Sequence, residues 1–152
     1  MTHPEPLRAT SARPDMTAAL TAETGLDEER LTALVHGFYA KVRLDPLLGP
    51  IFAARVGNWD EHLARLVDFW SSVALMTGRY HGQPVPAHLD LPVTQAHFDR
   101  WLALFAETAH ETCPPVGAAR VIERAGRIAR SLAMAIEAGR GAGEPLPPSL
   151  RG

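Results

Sequence analysis

Apolar residues recur at steps of three and four in four long stretches of the chain, a pattern typical of amphipathic helices. The first predicted helix begins near Asp27, with Thr24 as its N-cap, and ends at Asp45-Pro46. The other three are predicted over about residues 59–76, 94–111 and 116–138. No stretch alternates apolar and polar residues over the length of a strand, so we predict an all-α fold.

The predicted helix over 59–76 is apolar over an unusual width. A helix with this pattern is covered on two sides, so one side can pack on helices while the other faces something else. His62 lies on this apolar surface, and a lone histidine there is more often a satisfied core residue than a functional one. Tyr39 and Trp101, taken singly, are also most simply explained as core residues. The two apolar stripes are His62, Leu66, Phe69 and Val73, and Leu63, Val67, Trp70 and Ala74.

The connection between the second and third of these helices contains three prolines, Pro84, Pro86 and Pro92, which prevent it from forming one long helix. His88 lies in its middle, and connecting segments often carry function. A single imidazole beside an apolar wall suits haem iron, which needs one protein ligand, whereas a structural zinc ion needs about four. His97 is the main competing ligand, although the positive end of a helix disfavours an electron-donating group.

Length and composition indicate one domain. The chain has 152 residues, of which 46% are hydrophobic, enough to bury a core. We predict a flexible N-terminal arm over 1–23, a compact domain over 24–139 and a flexible C-terminal tail over 140–152.

The charge balance and the cysteine content exclude several classes of protein. The net charge is −2 and no basic stripe occurs, so nucleic acid is not an expected partner. Cys113 is the single cysteine, which excludes an internal disulfide framework and fits a reducing compartment. No apolar run is long enough to span a membrane, so we expect a cytoplasmic protein without a membrane partner.

Several motifs, in the same order, resemble those of the group III truncated haemoglobins. They cover about two thirds of the chain, from Phe38 to Leu132. They are FYAKVRLDPLLGPIF ending at Phe52, WDEH ending at His62, DFW ending at Trp70, YHGQP starting at Tyr80, HLDLP starting at His88, HFDRW ending at Trp101, and Leu104-Phe105. The resemblance implies a shortened globin, which is a two-over-two helical sandwich around haem b.

The resemblance also implies roles for individual residues. His88 becomes the iron ligand on the proximal side. Tyr39, His62 and Trp101 become the residues that contact the bound ligand on the distal side, and they are the candidate catalytic residues. The remaining haem contacts implied are Phe52, Leu66, Phe69, Tyr80 and Phe98.

A tyrosine hydroxyl and an indole N–H are both hydrogen-bond donors, so a pocket with this distal set would hold O₂ strongly. We therefore expect a protein that binds O₂, NO, CO or peroxide for redox chemistry, such as NO dioxygenation or a peroxidase-like reaction, more than for oxygen delivery. A reductase would be its partner. The alternatives are a gas sensor, a ligand-scavenging protein without turnover, and a haem-free helical interaction module.

Overall fold

The computed structural model describes residues 11–82, 88 and 91–143, and for residues 140–143 it describes the backbone alone. This part of the chain contains six helices and no strand, so the predicted all-α fold is confirmed. In chain order the helices are α1 (Pro14–Thr24), α2 (Glu28–Leu44), α3 (Gly49–Arg55), α4 (Trp59–Leu75), α5 (Gln95–Thr112) and α6 (Pro115–Gly143).

Four helices form the body of the molecule as two stacked pairs. Helix α2 packs on α4, and α5 packs on α6. The pairs contact each other through α2 with α5 and through α4 with α6. This arrangement is the two-over-two sandwich of a shortened globin. None of the helices in the described ranges is both long and apolar enough to cross a membrane.

The segment before α2 differs from the flexible arm that we predicted. From Pro14 onward it forms α1, which packs on α4 and α6. A proline in the first turn fixes a helical φ angle, and Leu20 is buried. The Thr17 hydroxyl donates a hydrogen bond to the Leu75 carbonyl at the end of α4, at 2.7 Å. Residues 1–10 of the predicted arm lie outside the described residues.

The start of α2 also differs from the prediction. Its N-cap is Asp27, whose Oδ1 accepts a hydrogen bond from the Arg30 backbone N–H at 2.8 Å. Thr24 is instead the last residue of α1, and its hydroxyl accepts from the Leu26 N–H at 3.1 Å. Gly25, with φ of 75°, closes α1 in the left-handed conformation that glycine adopts without strain. The assignment of Thr24 as the cap of α2 was therefore wrong.

At the other end, α6 continues to Gly143, four residues beyond the predicted domain boundary at 139. Residues 144–152 of the predicted tail lie outside the described residues. The division of the chain into arm, domain and tail otherwise stays a prediction.

Stacked aromatic rings join the two helix pairs. Phe105 of α5 stacks on Trp70 of α4, with centroids 4.8 Å apart, and on Trp101 of its own helix, at 5.5 Å. Phe38 of α2 meets both Trp101 and Phe105 edge-on, at 5.3 and 5.2 Å. Such contacts stabilise beyond the area they bury. Trp101 is therefore held in place by the core.

The connection after α4 begins with two residues in the left-handed conformation. Met76 caps the helix in the left-handed conformation, and Gly78 follows with φ of 74°. The Tyr80 N–H then donates to the Ser72 hydroxyl at 2.9 Å, which ties the chain back to α4. We call residues 79–94 the link. Pro84 and Pro86, which motivated the prediction of an irregular segment, lie outside the described residues.

Candidate functional site

A cavity of about 230 Å³ lies among the helices of the two pairs, α3 and the link. Every residue that we predicted for the site lines this cavity, although these residues are far apart in the sequence. These residues are Tyr39, Phe52, His62, Leu66, Phe69, Tyr80, His88, Phe98 and Trp101. The fold therefore brings the whole predicted set to one place.

Tyr39 is the most deeply buried polar residue of the predicted set. Its side chain is 5% exposed, and burial raises the pKa of its hydroxyl to about 12, although a hydrogen bond from Trp101 acts in the opposite direction. The indole N–H of Trp101 can only donate, so it donates to the Tyr39 oxygen. The tyrosine therefore keeps its own proton, which leaves it available to donate to a further group.

His62 contributes a polar atom that has no partner. Its Nε2 is buried and makes no hydrogen bond in the described structure, which is a costly arrangement unless a ligand supplies the partner. Burial lowers the pKa of the His62 imidazole, and the positive charges of Arg65 and His88 lower it further. The imidazole is therefore kept neutral, with one nitrogen able to donate and the other able to accept.

An aromatic group surrounds these two residues. The Tyr39 ring contacts the rings of Phe52 and His62 edge-on, with centroids 5.5 and 6.0 Å apart. Trp59 meets His62 at 90° and 5.5 Å, and the Arg43 guanidinium lies 4.4 Å above the Trp59 ring. Phe52, one of the haem contacts that the resemblance implies, is half-buried, because part of its ring borders the cavity.

The link supplies His88. It is half-buried and lines the cavity, and its charge reaches His62, as the lowered pKa of that residue indicates. Its carbonyl accepts a hydrogen bond from the Leu91 N–H at 3.2 Å, and the Leu91 carbonyl accepts from the Val93 N–H at 2.9 Å. These contacts lead the chain from His88 back toward α5.

His97, the competing iron ligand, is also at the cavity, but its ring is engaged elsewhere. It is the third residue of α5, and its Nδ1 accepts a hydrogen bond from the Thr94 backbone N–H at 3.0 Å. A neutral imidazole whose Nδ1 accepts carries its proton on Nε2. Neither nitrogen then offers a lone pair to iron, unless the helix loses its cap.

Tyr80 lies where the link leaves α4. Its ring meets Phe69 edge-on at 5.1 Å, and both rings line the cavity. A Cβ atom on Gly82 would overlap the hydroxyl end of the Tyr80 ring, so a larger residue there would displace the tyrosine from this position. The YHG motif thus fixes the position of Tyr80 beside the cavity.

An ion pair between a buried carboxylate and an exposed guanidinium holds α5 against the turn that follows α2. Arg100 Nε donates to Asp45 Oδ1 at 2.7 Å, and Asp45 Oδ2 accepts from the N–H groups of Leu47 and Leu48 at 3.1 and 3.0 Å. Burial favours a higher pKa for Asp45, but the Arg100 hydrogen bond and charge and the two backbone bonds outweigh it and lower the pKa. Leu48 lines the cavity, and Arg100 adjoins Trp101.

The cavity has further lining residues that the sequence did not assign to the site. On α6 they recur at helical spacing, which gave them the pattern of ordinary core positions; periodicity does not distinguish a helix neighbour from a ligand. Arg65 adjoins Leu66 on α4. These residues are Leu48, Ile51, Arg65, Trp70, Leu91, Val93, His97, Ile128, Ala129, Leu132 and Ile136.

The donor set fits haem. Its polar groups are His88 in the link, the His62 imidazole, whose Nε2 is buried without a partner, and a tyrosine–tryptophan pair, set among apolar side chains. No group of three or more His, Cys, Asp or Glu side chains placed to hold a bare metal ion occurs in the described ranges. Haem iron needs fewer protein ligands because the porphyrin supplies four nitrogens.

Comparison with known proteins agrees with this geometry. Residues 22–136 match the family model of the bacterial-like globins. Over 88 residues the chain is 43% identical to the group 3 truncated hemoglobin ctb of Campylobacter jejuni, which covers 55% of this chain and 69% of that protein.

A solved structure is similar over most of its length. The crystal structure of a group III truncated hemoglobin from Campylobacter jejuni superposes with a TM-score of 0.69 at 36% identity, covering 73% of this chain and 91% of that one. Globins bind small ligands at haem, which is the use that the cavity fits. The chain belongs to the bacterial-like globin family and, within it, to the group III truncated haemoglobins.

Proposed function

We propose that this chain is a haem b protein that binds O₂ and other small diatomic ligands and uses them in redox chemistry more than in oxygen delivery. The observation that carries the proposal is the Tyr39–Trp101 pair, in which the indole N–H donates to the phenol oxygen and the phenol keeps its proton. Both groups line the cavity. Because the indole N–H is used on the phenol oxygen, the Tyr39 O–H is the donor offered to a ligand that acquires negative charge.

His88 would hold the iron. It lines the cavity on the link, whereas His97 uses its Nδ1 to cap α5. The walls of the haem site would be the apolar side chains that surround His62, together with Tyr80 at the edge. These haem contacts are Phe52, Leu66, Phe69 and Phe98.

The distal donors would decide how long a ligand stays. When bound, ferrous haem supplies the electron density that makes O₂ a hydrogen-bond acceptor. A neutral hydrogen bond contributes about 1 kcal/mol, so a bond from the Tyr39 hydroxyl, which Trp101 orients, would slow release about fivefold. His62 Nε2, buried and without a partner, would supply a second contact. Slow release is poor for delivery and good for a ligand held for reaction.

Reaction with nitric oxide is the redox chemistry that this retention favours. Haem held by His88 would supply the one electron needed to convert O₂ and NO to nitrate, and a reductase would return that electron. The chain's own part is to orient the ligand with Tyr39 and Trp101 and to hold the phenol proton, which its raised pKa secures at neutral pH. A cytoplasmic location is proposed with it, because the free Cys113 fits a reducing compartment.

The test starts with the absorption spectrum of the haem-reconstituted protein and then measures O₂ release by stopped flow. Tyr39→Phe should accelerate release about fivefold, Trp101→Phe should accelerate it by up to the same factor, and His36→Ala, on the exposed face of α2, should leave it unchanged. Nitrate formed per NO added would measure turnover. Wild-type release as fast as in both variants would refute the hydrogen-bonding role, and retention without nitrate would favour binding without turnover.

A further inference from the structure

His97 lines the cavity, and its capping contact determines which of its ring nitrogens carries the proton. It is half-buried, and its Nδ1 accepts from the Thr94 N–H at 3.0 Å, with the Thr94 hydroxyl at 3.1 Å. A backbone N–H can only donate, so the Nδ1 lone pair is occupied. The capping contact therefore sets the tautomer, and in the neutral ring Nε2 carries the proton.

That Nε2–H has no acceptor among the described residues, because the capping contacts are the hydrogen bonds that His97 makes there. A donor that lines a ligand cavity and has no protein acceptor requires one from the ligand or from water. The position also restricts the kind of acceptor. Thr94 and Gln95 beside it are exposed, so His97 lies at the rim of the cavity and not at its centre.

A porphyrin of the b type carries two carboxylates, and charged groups stay near water when the rest of a ligand is buried. We propose that His97 donates its Nε2–H to a propionate carboxylate of the haem and so retains the cofactor without ligating its iron. This inference rests on the proposed haem-binding function. The same residue thus caps α5 with one nitrogen and anchors the cofactor with the other.

The experiment changes the donor and the acceptor separately. His97→Glu keeps the capping contact, because glutamate at the third helical position accepts from the N-cap N–H, but it has no proton to donate. Ala96→Glu is the matched control, since Ala96 is exposed and gains the same charge one residue earlier on α5. The reconstituted proteins are mixed with an excess of a haem-scavenging apoprotein, and the rate of ferric haem loss is followed by absorbance. The measurement is repeated with haem dimethyl ester, whose carboxylates are blocked.

With haem, His97→Glu should lose the cofactor at least about tenfold faster than wild type, and Ala96→Glu at the wild-type rate. With the dimethyl ester the difference between His97→Glu and wild type should fall below about twofold. Equal acceleration with both porphyrins, or none with haem, would overturn the propionate contact.

Two further observations keep the inference separate from the proposed function. Wild-type protein alone should release the dimethyl ester about tenfold faster than haem, and equal rates would refute the contact even if His97→Glu failed to fold. If the wild-type protein shows a Soret band and His97→Glu releases haem at the wild-type rate, only the propionate contact is refuted. No haem uptake by wild type would defeat both.

Discussion

The cavity is bounded by two regions that are built in different ways. On the helical side, Tyr39 and Trp101 are fixed by rings of the core: Phe38 contacts Tyr39 at 4.7 Å and Trp101 at 5.3 Å. On the link, the Leu91 N–H donates to the His88 carbonyl and the Val93 N–H donates to the Leu91 carbonyl, which are short-range backbone bonds. Ring packing between helices positions the helical side, and local backbone bonds shape the link.

This difference separates two kinds of functional residue. A distal donor such as Trp101 belongs to the core as well as to the site, so its position is fixed before any ligand arrives, which is the requirement for preorganised stabilisation. His88 is half-buried on the link and is not enclosed between helices, so replacing it should cost the cofactor more than it costs the stability of the core. Substitutions on the two sides should therefore have opposite consequences for haem affinity and for the stability of the chain.

The largest effect is expected on the link. His88→Ala removes the proposed iron ligand, so haem affinity should fall by on the order of 100-fold or more, because loss even of a contact that only orients a metal ligand costs about 10- to 100-fold. The free energy of unfolding of the haem-free chain should change little. Haem titration followed by absorbance and urea unfolding followed by circular dichroism measure the two quantities.

Two controls accompany His88→Ala. His81→Ala alters an exposed histidine of the same link that is not part of the cavity lining, and should keep wild-type affinity. His88→Gly with added imidazole should regain a ligated spectrum. A normal spectrum in His88→Ala together with its loss in His97→Ala would show that the iron ligand has been assigned to the wrong histidine.

On the helical side, the next effect concerns Tyr39 at alkaline pH. Folding raises the pKa of Tyr39 to about 12, whereas the unfolded chain loses that proton near 10. Between these values the unfolded state binds fewer protons, so stability should fall as pH rises, by about 3 kcal/mol in total. Tyr39→Phe should remove this loss, and urea unfolding at pH 9 to 12 measures it.

Tyr80→Phe is the control for the alkaline experiment, because Tyr80 is half-buried on the link and not enclosed by helices. It should leave the slope of stability against pH as in wild type. If stability still falls with rising pH in Tyr39→Phe but no longer does so in Tyr80→Phe, then the helical side is not the enclosed part of the cavity. The proposed difference between the helical side and the link would then be wrong.

A third prediction concerns the ion pair that holds the helical side together. Arg100→Met leaves the Asp45 carboxylate buried without its cation and should destabilise the chain by about 2 kcal/mol. Asp45→Asn should cost about 1 kcal/mol, because the amide oxygen still accepts from the turn and Arg100, which is 49% exposed, can reach water. Thermal or urea unfolding at pH 7 compares them.

The same ion pair also determines how the stability of the chain changes at acidic pH. Because the pKa of Asp45 is lowered by folding, its stabilising contribution is present above about 4 and is lost as pH falls further. Asp45→Asn should flatten this loss. Glu61→Gln, which alters an exposed pair with Arg65 at 3.6 Å, should change stability within experimental error. Equal costs for Arg100→Met and Asp45→Asn would mean that the carboxylate is not effectively buried.

The helices differ in how well they could be predicted from the sequence. The bounds of α4 and α5 were predicted from the apolar period to within about one residue, because local rules decide them. Helix α1 was missed, since its Ala- and Thr-rich sequence has few large apolar residues and its stability comes from packing on α4 and α6. Tertiary contact, which no local pattern contains, decided that segment.

The site shows the same limit more sharply. Tyr39, His62 and Trp101 each fitted a core position, and their grouping came from the resemblance to a known family. The apolar period did not predict which residues are only half-buried. Leu66 and Phe69 of α4 are half-buried at the cavity, while Val67 and Ala74 of the neighbouring stripe are buried. The capping role of His97 needed atomic positions, because the sequence does not say which ring nitrogen is engaged.

The smallest effect is expected at His62, where the two regions meet electrostatically. Burial, Arg65 and His88 lower its pKa, so its contribution to stability is present above the unfolded value near 6.5 and is lost as pH falls below it. Because His62 is half-buried, this loss should be smaller than the cost of Arg100→Met. Arg65→Gln should raise the pKa of His62, as measured by NMR titration, and Arg127→Gln on the exposed face of α6 should not.

His88→Ala should also raise the pKa of His62, by less than Arg65→Gln does, since Arg65 is the stronger of the two charges. The relative size of these two pKa changes tests whether the link is independent of the helical side. If removal of His88 raises the pKa more than removal of Arg65, then the link sits closer to His62 than its own helix neighbour does. The link would then be part of the same preorganised unit as the helical side, and its independence from the core would have to be abandoned.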